Sequence, residues 1–273
     1  MPRGRCAVSD KIPVSVIITT LNEESNLARC LSALERFDEI VVVDSGSADS
    51  TVRIAASFGA RVEHFKWNGR YPKKRQWCLD NLHLRHDWIF FVDADEEITP
   101  ALCAEVAALD WSAAGYFVKG AYVLNGRVLR YGLKNNKLCL FDRRKMEFPV
   151  VSDLDIPGMG EMEGHYQPVL KPGAPEKLGV LKQALWHYAL EDKDRWRARH
   201  EGYANWHKSV VLRDGLPPDP SFVRRNLKRF FYASPARPAL AFLHSYVVLG
   251  GFLDGRTGFY LAQIRFSYYK NQA

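Results

Sequence analysis

The 273-residue chain is 47% hydrophobic and 25% charged, the balance of an ordinary globular protein, which excludes disordered and collagen-like classes. Its length allows one large α/β domain or a domain with a modest extension, and it contains no internal repeat or low-complexity tract. A formal net charge of +7 favours an anionic partner without choosing among nucleic acid, an acidic membrane surface and phosphorylated substrates.

The five cysteines (Cys6, Cys30, Cys78, Cys103 and Cys139) are odd in number, far apart and free of any CxxC pair. They suggest neither a zinc site nor a disulfide scaffold, and buried free thiols in a reducing compartment are expected. Met1 to Lys11 is short and polar, unlike a signal peptide, and no run reaches the roughly 20 apolar residues that span a bilayer. Pro238 to Phe252 comes nearest, but His244, Ser245 and two glycines interrupt it. The expected location is cytoplasmic, with attachment to the inner face of the cell membrane left open.

The first half alternates two periodicities. Val14 to Thr20, Glu39 to Asp44 and Trp88 to Asp93 are short apolar runs that suit parallel strands buried on both faces. Between them, Leu27, Cys30, Leu31 and Leu34 form one apolar helix face. Ser47 to Ser57 predicts a second helix, with Ser47 or Asp49 near its N-cap and Gly59 past its end. Pro72 opens a third, and Thr99-Pro100 caps a fourth that runs to about Leu109. This order predicts a doubly wound α/β sheet with ligands beyond the carboxyl ends of its strands. The polar residues there are Thr19 and Thr20, Asp44 and Ser45, and Asp93 and Asp95.

Further on, Gly115 to Leu124 and Lys137 to Phe141 read as strands, with turns at Gly126 and Gly132. Ser152 to Pro175 reads mostly as loop. From Glu191 the pattern turns helical and basic, which places a boundary near 190.

Within Trp88-Ile-Phe-Phe-Val-Asp93-Ala-Asp95-Glu-Glu97, a strand delivers two carboxylates at i and i+2, a spacing that lets both face one side of an extended segment. Carboxylate oxygens suit Mg²⁺ or Mn²⁺, which share their remaining positions with substrate phosphates. A bare Asp-x-Asp is also what an ordinary solvated turn looks like.

Three stretches decide between these readings. Pro13-Val-Ser-Val-Ile-Ile-Thr-Thr-Leu-Asn-Glu23, Glu39-Ile-Val-Val-Val-Asp-Ser-Gly-Ser-Ala-Asp-Ser-Thr51 and Phe91-Val-Asp-Ala-Asp-Glu-Glu97 together resemble family-2 glycosyltransferases of the GT-A fold. The likeness is strongest to the bacterial branch that builds lipopolysaccharide core and other envelope glycans, and it covers about the first 110 residues. It implies a catalytic domain over 1–190, with a nucleotide-sugar half to about 110 and an acceptor half over 111–190. A basic, aromatic helical extension follows over 191–273.

The resemblance also implies roles. Thr19, Thr20, Asn22 and Glu23 would border the nucleotide, Asp44 and Ser45 the base, and Asp93 and Ala94 the ribose and metal. Asp95 would ligate a divalent cation, Mn²⁺ or Mg²⁺, that bridges the diphosphate, and His187 in Leu185-Trp-His-Tyr188 would complete its binding. Lys74, Arg75 and Gln76 would contact phosphate or base, although Lys73-Lys74-Arg75 reads equally well as a solvated helix face. Lys137 stands where many relatives carry arginine, which keeps the charge and loses the bidentate fork.

An inverting transfer needs a general base for the acceptor hydroxyl. The loop Gly158-Met-Gly-Glu161-Met-Glu163-Gly-His165-Tyr-Gln167 offers Glu163 first and Glu161 next, with Asp155 as an outsider. The implied partners are a nucleotide-sugar donor and a glycan or lipid-linked acceptor, with a homo-oligomer left open.

In the last third, Trp196, Trp206, Phe222, Phe230, Phe231, Tyr232, Phe242, Tyr246 and Phe252 alternate with Arg195, Arg197, Arg199, Lys208, Arg224, Arg225, Lys228 and Arg229. That mixture suits an interfacial helix on an anionic bilayer, a packed helical subdomain or an oligomer contact.

Two rival functions remain. A sugar-nucleotide pyrophosphorylase is disfavoured because Thr20-Leu-Asn-Glu-Glu-Ser is acidic and glycine-free where those enzymes hold a triphosphate. A non-enzymatic module binding an anionic ligand fits the charge, but no zinc-finger, RNP or helix-turn-helix pattern points to nucleic acid.

Overall fold

A computed structural model of the chain describes residues 11–163, 166–174, 177–188, 193–214 and 222–271. Cys6, His165, Pro175 and Glu191 lie outside the described residues, as do the side chains of Arg195, Trp196, Arg197, Arg199, Phe222, Arg224, Arg225 and Lys228.

In chain order the elements are β1 (Ile12–Thr20), α1 (Leu27–Ser32), β2 (Phe37–Asp44), α2 (Thr51–Ser57), β3 (Arg61–His64), α3 (Lys74–Asn81), β4 (Trp88–Asp93), β5 (Glu96–Glu97), α4 (Pro100–Ala107), β6 (Gly115–Leu124) and β7 (Arg127–Val128). There follow β8 (Asn135–Asp142), β9 (Met146–Glu147), β10 (Val169–Leu170), β11 (Leu178–His187), α5 (Lys193–Asp214), α6 (Phe222–Ala233) and α7 (Arg237–Leu243). A π-helical turn at His244–Val248 and a 3-10 turn at Gly251–Asp254 lead into α8 (Gly255–Asn271).

Among the described residues the main sheet runs β3-β2-β1-β4-β8-β6-β11-β5, with β7 paired to β6. Its first four strands are parallel; the apolar runs of β1, β2 and β4 predict this, whereas β3, Arg-Val-Glu-His at the edge, carries no such run. Strand β8 then enters antiparallel between β4 and β6, and β11 lies parallel to β6, so the sheet is mixed beyond β4. Val16, Ile17, Val41, Val42, Ile89 and Phe90 are fully buried at its centre. Leu27, Cys30 and Leu31 of α1 pack against it on the predicted helix face, and Leu34 joins the same core from the turn after the helix.

Helix α4 begins as expected, with the Thr99 hydroxyl accepting from Leu102 N at 3.1 Å. Helix α2 starts later than predicted, at Thr51. Ser47 and Asp49 instead brace the preceding loop, where Ser47 Oγ accepts from Asn22 N (2.8 Å) and Asp49 Oδ1 from Thr51 N (2.9 Å), as short polar side chains compete with helix extension. Cys30, Cys78, Cys103 and Cys139 are buried free thiols.

Helix α5 docks on the loop between β9 and β10. Met159, Trp206 and Val210 form a small core of their own, with Ile156 and Tyr166 at its edge. Gly158, at φ +121°, permits this approach, since a Cβ there would lie 2.5 Å from the Gly202 carbonyl oxygen.

Candidate active site

The ends of β1, β2 and β4 meet. Thr19 pairs in register with Asp93 of β4, and Thr20 with Asp44 of β2. Asp44 is buried and fully engaged. Its carboxylate accepts from the Thr20 hydroxyl (3.0 Å), Gly46 N (2.9 Å), Ser47 N (2.8 Å) and the Ser47 hydroxyl. Burial pushes its pKa up, but these donors outweigh burial and hold the carboxyl below the ordinary carboxylate range. Asp44 therefore shapes the loop at the strand end.

Asn22 and Glu23 do the same for the β1 loop. Asn22, at φ 55°, accepts from Ala48 N at 2.9 Å, and Glu23 accepts from the Asn26 amide at 2.9 Å.

Lys73, Lys74 and Arg75 are not a solvated helix face. Lys73 and Lys74 are each 2% exposed and Arg75 15%, because three acids from elsewhere in the chain receive them. Lys73 pairs with Asp153 (2.8 Å), Lys74 with Glu161 (3.3 Å) and Arg75 with Asp93 (3.0 Å). Lys74 Nζ also donates to the Thr20 carbonyl at the end of β1 (3.0 Å), and its burial lowers its pKa. The Gln76 amide donates to Asp80 (2.7 Å) and accepts from Phe148 N (2.8 Å), tying α3 to the segment after β9.

The segment carrying Glu161 and Glu163 closes the first turn of α3. Lys74 N donates to the Glu161 carbonyl (2.9 Å) and Gln76 N to Glu163 Oε1 (2.8 Å), which satisfies two otherwise orphaned helix donors. The Glu161 carboxylate is occupied by the Ser45 hydroxyl (2.6 Å) and by Lys74. Glu163 differs: it is 2% exposed, and its Oε2 has no hydrogen-bond partner among the described residues. Burial raises its pKa above the ordinary glutamate value despite nearby Arg75. Asp155 sits on the surface against Arg213, both contacts at 2.9 Å, away from this cluster.

The two motif aspartates separate. Asp93 faces cations: besides Arg75, Lys137 Nζ lies 2.6 Å from Asp93 Oδ2 and 2.6 Å from Glu96 Oε1. Burial works against the charge on Asp93, but Lys137 and Arg75 hold its pKa well below the usual range. Ala94 is buried between the two carboxylates.

Asp95 faces His187. The short strand β5 turns back from β4 and pairs antiparallel with the end of β11, setting His187 opposite Glu96. Tyr188 N donates to the Asp95 carbonyl at 2.8 Å, and Asp95 Oδ1 lies 3.5 Å from His187 Nε2. The imidazole stacks on Tyr122, with centroids 5.2 Å apart.

The expected ligands Asp93, Asp95 and His187 thus do not gather into one cluster, and no group of three or more metal-ligating side chains occurs among the described residues. Asp93 is instead paired with Lys137 and Arg75. Asp95 and His187 do fit a cation: an oxygen and a nitrogen 3.5 Å apart can occupy neighbouring positions when each ligand bond is about 2.1 Å. Glu96 is the residue that sequence reading missed. It is fully buried, pairs with Lys137 and accepts from Asp93 N (3.0 Å). Its place within the acidic motif was the available signal.

Parallel strand ends that bring carboxylates and bases to one crevice, followed by a mixed half built on β6, β8 and β11, define an α/β protein of the GT-A class. The chain belongs to glycosyl transferase family 2, whose description matches residues 15–159, more than half of its length.

The lipopolysaccharide core biosynthesis glycosyltransferase LpsC of Rhizobium meliloti is 39% identical over 97 residues, 34% of this chain and 35% of that protein. An uncharacterized glycosyltransferase of Rickettsia typhi is 36% identical over 97 residues, 34% of this chain and 31% of its own. The matched segment therefore spans about a third of these relatives' length. Among solved structures, the Pyrobaculum calidifontis mannosyltransferase PcManGT, in complex with GDP-Man and Mn²⁺, aligns over 96% of this chain and 86% of its own. Its TM-score is 0.49, at 15% identity.

Proposed function

We propose that the chain is an inverting glycosyltransferase that moves a sugar from a nucleoside-diphosphate sugar to a hydroxyl of a cell-envelope glycan or lipid-linked acceptor. The observation that carries this reading is the pairing of Asp95 with His187 at the strand-end crevice, beside the bases Lys74, Arg75 and Lys137. Family membership and the name of the Rhizobium relative support the substrate class.

Asp95 and His187 would hold a divalent cation, Mn²⁺ or Mg²⁺, which supplies positive charge to the diphosphate when bound. Lys74 and Arg75 stand where the strands end and favour an anionic donor there. Glu163 takes the proton of the acceptor hydroxyl on its unpartnered Oε2. The hydroxyl oxygen bonds to the anomeric carbon as the bond from that carbon to the diphosphate oxygen breaks. The nucleoside diphosphate leaves with the electron pair, and the anomeric configuration inverts. A raised pKa makes Glu163 a stronger base than an exposed glutamate, at the cost of a smaller ionised fraction in mild acid.

The test is a screen of nucleotide sugars for slow donor hydrolysis, with and without Mn²⁺. Metal-stimulated release of a nucleoside diphosphate from one donor class is the expected result. Activity with nucleoside triphosphate plus sugar phosphate instead would make the chain a pyrophosphorylase.

A further inference from the structure

Residues 222–271 contain eight Lys or Arg and one acidic residue, Asp254. The whole chain has 38 basic and 31 acidic residues, so the remainder holds 30 of each and is neutral. All of the net charge of +7 therefore resides in the last helices. Asp254 is itself occupied, accepting from Tyr131 N at 2.8 Å and Arg130 N at 3.3 Å. Arg229, Arg256 and Lys270 are exposed.

The same helices carry the chain's concentration of bare apolar surface. Ten of the nineteen exposed large hydrophobic side chains among the described residues fall between Leu227 and Phe266. Five of them, Leu243, Val247, Val248, Phe252 and Leu253, sit within eleven residues and are each 50–71% exposed. Leu243 ends α7 and the other four lie on the π-helical and 3-10 turns, where Phe252 contacts Tyr246 (6.3 Å) and Tyr246 contacts Phe259 of α8 (5.5 Å). A soluble surface seldom groups bulky apolar side chains this way without a partner.

We propose that this tip is a membrane-docking wedge, which enters the headgroup region of an anionic bilayer, with Arg256 beside it and the net positive charge of the last helices drawing the chain to lipid phosphates. Charge selects this occupant. A second copy of the same face would set +7 against +7, and a nucleic acid would gain nothing from the apolar tip. An acidic lipid surface satisfies both features at once. No helix among the described residues is long and apolar enough to cross a membrane, so the contact is interfacial.

The wedge is fastened to the crevice end of the sheet. Gly132 N donates to the Leu249 carbonyl (2.9 Å), and Leu261 of α8 is buried against Leu124 and Leu129. Tyr122 packs against that cluster and stacks on His187. Docking therefore turns the edge of the site toward the bilayer, where a lipid-borne acceptor resides. This last step rests on the proposed transfer reaction, whereas the docking itself does not.

The experiment is co-sedimentation of the full chain with phosphatidylcholine vesicles and with vesicles containing about 30% phosphatidylglycerol, at low and high salt. The wild type should bind the anionic vesicles at least about tenfold better, with binding that weakens as salt rises. Val247→Ser/Val248→Ser/Phe252→Ser/Leu253→Ser should lose at least about tenfold in binding while keeping its circular dichroism and donor hydrolysis. Equal binding by this variant, or no preference for anionic vesicles, overturns the proposal. So does a wild-type dimer in solution that the variant disrupts, with no vesicle binding by either. Loss of donor chemistry in a chain that still docks would instead sink the transfer reading alone.

Discussion

Replacing Asp153 should be among the most destabilising single changes in the chain. Its side chain is fully buried and receives the Lys73 ammonium at 2.8 Å, the Trp206 indole N–H at 3.1 Å and the Tyr71 hydroxyl at 2.5 Å. In Asp153→Ala, Lys73 keeps, among the described residues, the Met162 carbonyl at 3.3 Å and the face of the Tyr71 ring at 5.7 Å, for a charge that is 2% exposed. Breaking a buried ion pair from one side costs about 3–5 kcal/mol, and the abandoned Trp206 donor pushes the loss toward the upper end, while Tyr71 still donates to the Val151 carbonyl. At about 2–4 °C per kcal/mol for a chain of this size, the melting temperature should fall by roughly 10–20 °C. Tryptophan fluorescence is a suitable probe, since Trp206 sits in the knot. Asp153→Leu with Lys73→Met removes both charges and should recover most of the loss, because desolvation offsets much of what a buried pair contributes. A drop below about 1 kcal/mol in Asp153→Ala, or a double variant no better than the single, would refute the reasoning.

Asp95→Ala removes one of the two facing metal donors. It should lower Mn²⁺-stimulated turnover at least about a hundredfold with little change in melting temperature; wild-type turnover would end the metal role. Glu163→Gln should cut turnover by about 10²–10⁴ while leaving donor affinity near wild type. In the wild type the rate should rise with pH through the elevated Glu163 pKa, and in the variant that acid limb should vanish. Collapse of donor binding instead would make Glu163 a ligand and not the base. Asp44→Asn should destabilise by about 1–3 kcal/mol at neutral pH. The Asp44 pKa is depressed in the fold, so its contribution is present above the unfolded value of about 3.9 and disappears as pH falls through the folded value. Urea titrations of the two proteins should therefore converge in strong acid, and a gap that persists there would rule out the ionic explanation.

The first half of the sheet was legible because parallel strands buried on both faces leave unbroken apolar runs, and the runs of β1, β2 and β4 end in polar residues that the register brings together. The pairing of β5 with β11 was not. Strand β5 has two residues, and β11 mixes exposed Lys182 and Gln183 with buried Leu181 and Leu185, so neither carries a clean period. His187 was reached through resemblance, and only the ladder that sets it opposite Glu96 explains why it meets Asp95. The C-terminal helices were legible as basic and aromatic, but which apolar side chains stay bare depends on how α7 and α8 pack.

Lys73-Lys74-Arg75 shows most sharply where local pattern fails. Three adjacent bases read as solvent-facing because burying even one charge without a partner is prohibitive. Here every partner comes from another part of the chain, with Asp153 80 positions away, Glu161 87 and Asp93 18. Each base thus addresses a different segment: Lys73 the docking site of α5, Lys74 the loop of the candidate base and the end of β1, and Arg75 the acidic motif. The first turn of α3 is consequently a three-way clamp, and the loop bearing Glu161 and Glu163 returns the contact by capping that same turn. In the proposed reaction, a donor phosphate that drew Lys74 or Arg75 toward itself would loosen a carboxylate from this clamp. It would thereby reach the segment that carries Glu163, a link between distant acids and adjacent bases that only the folded chain contains.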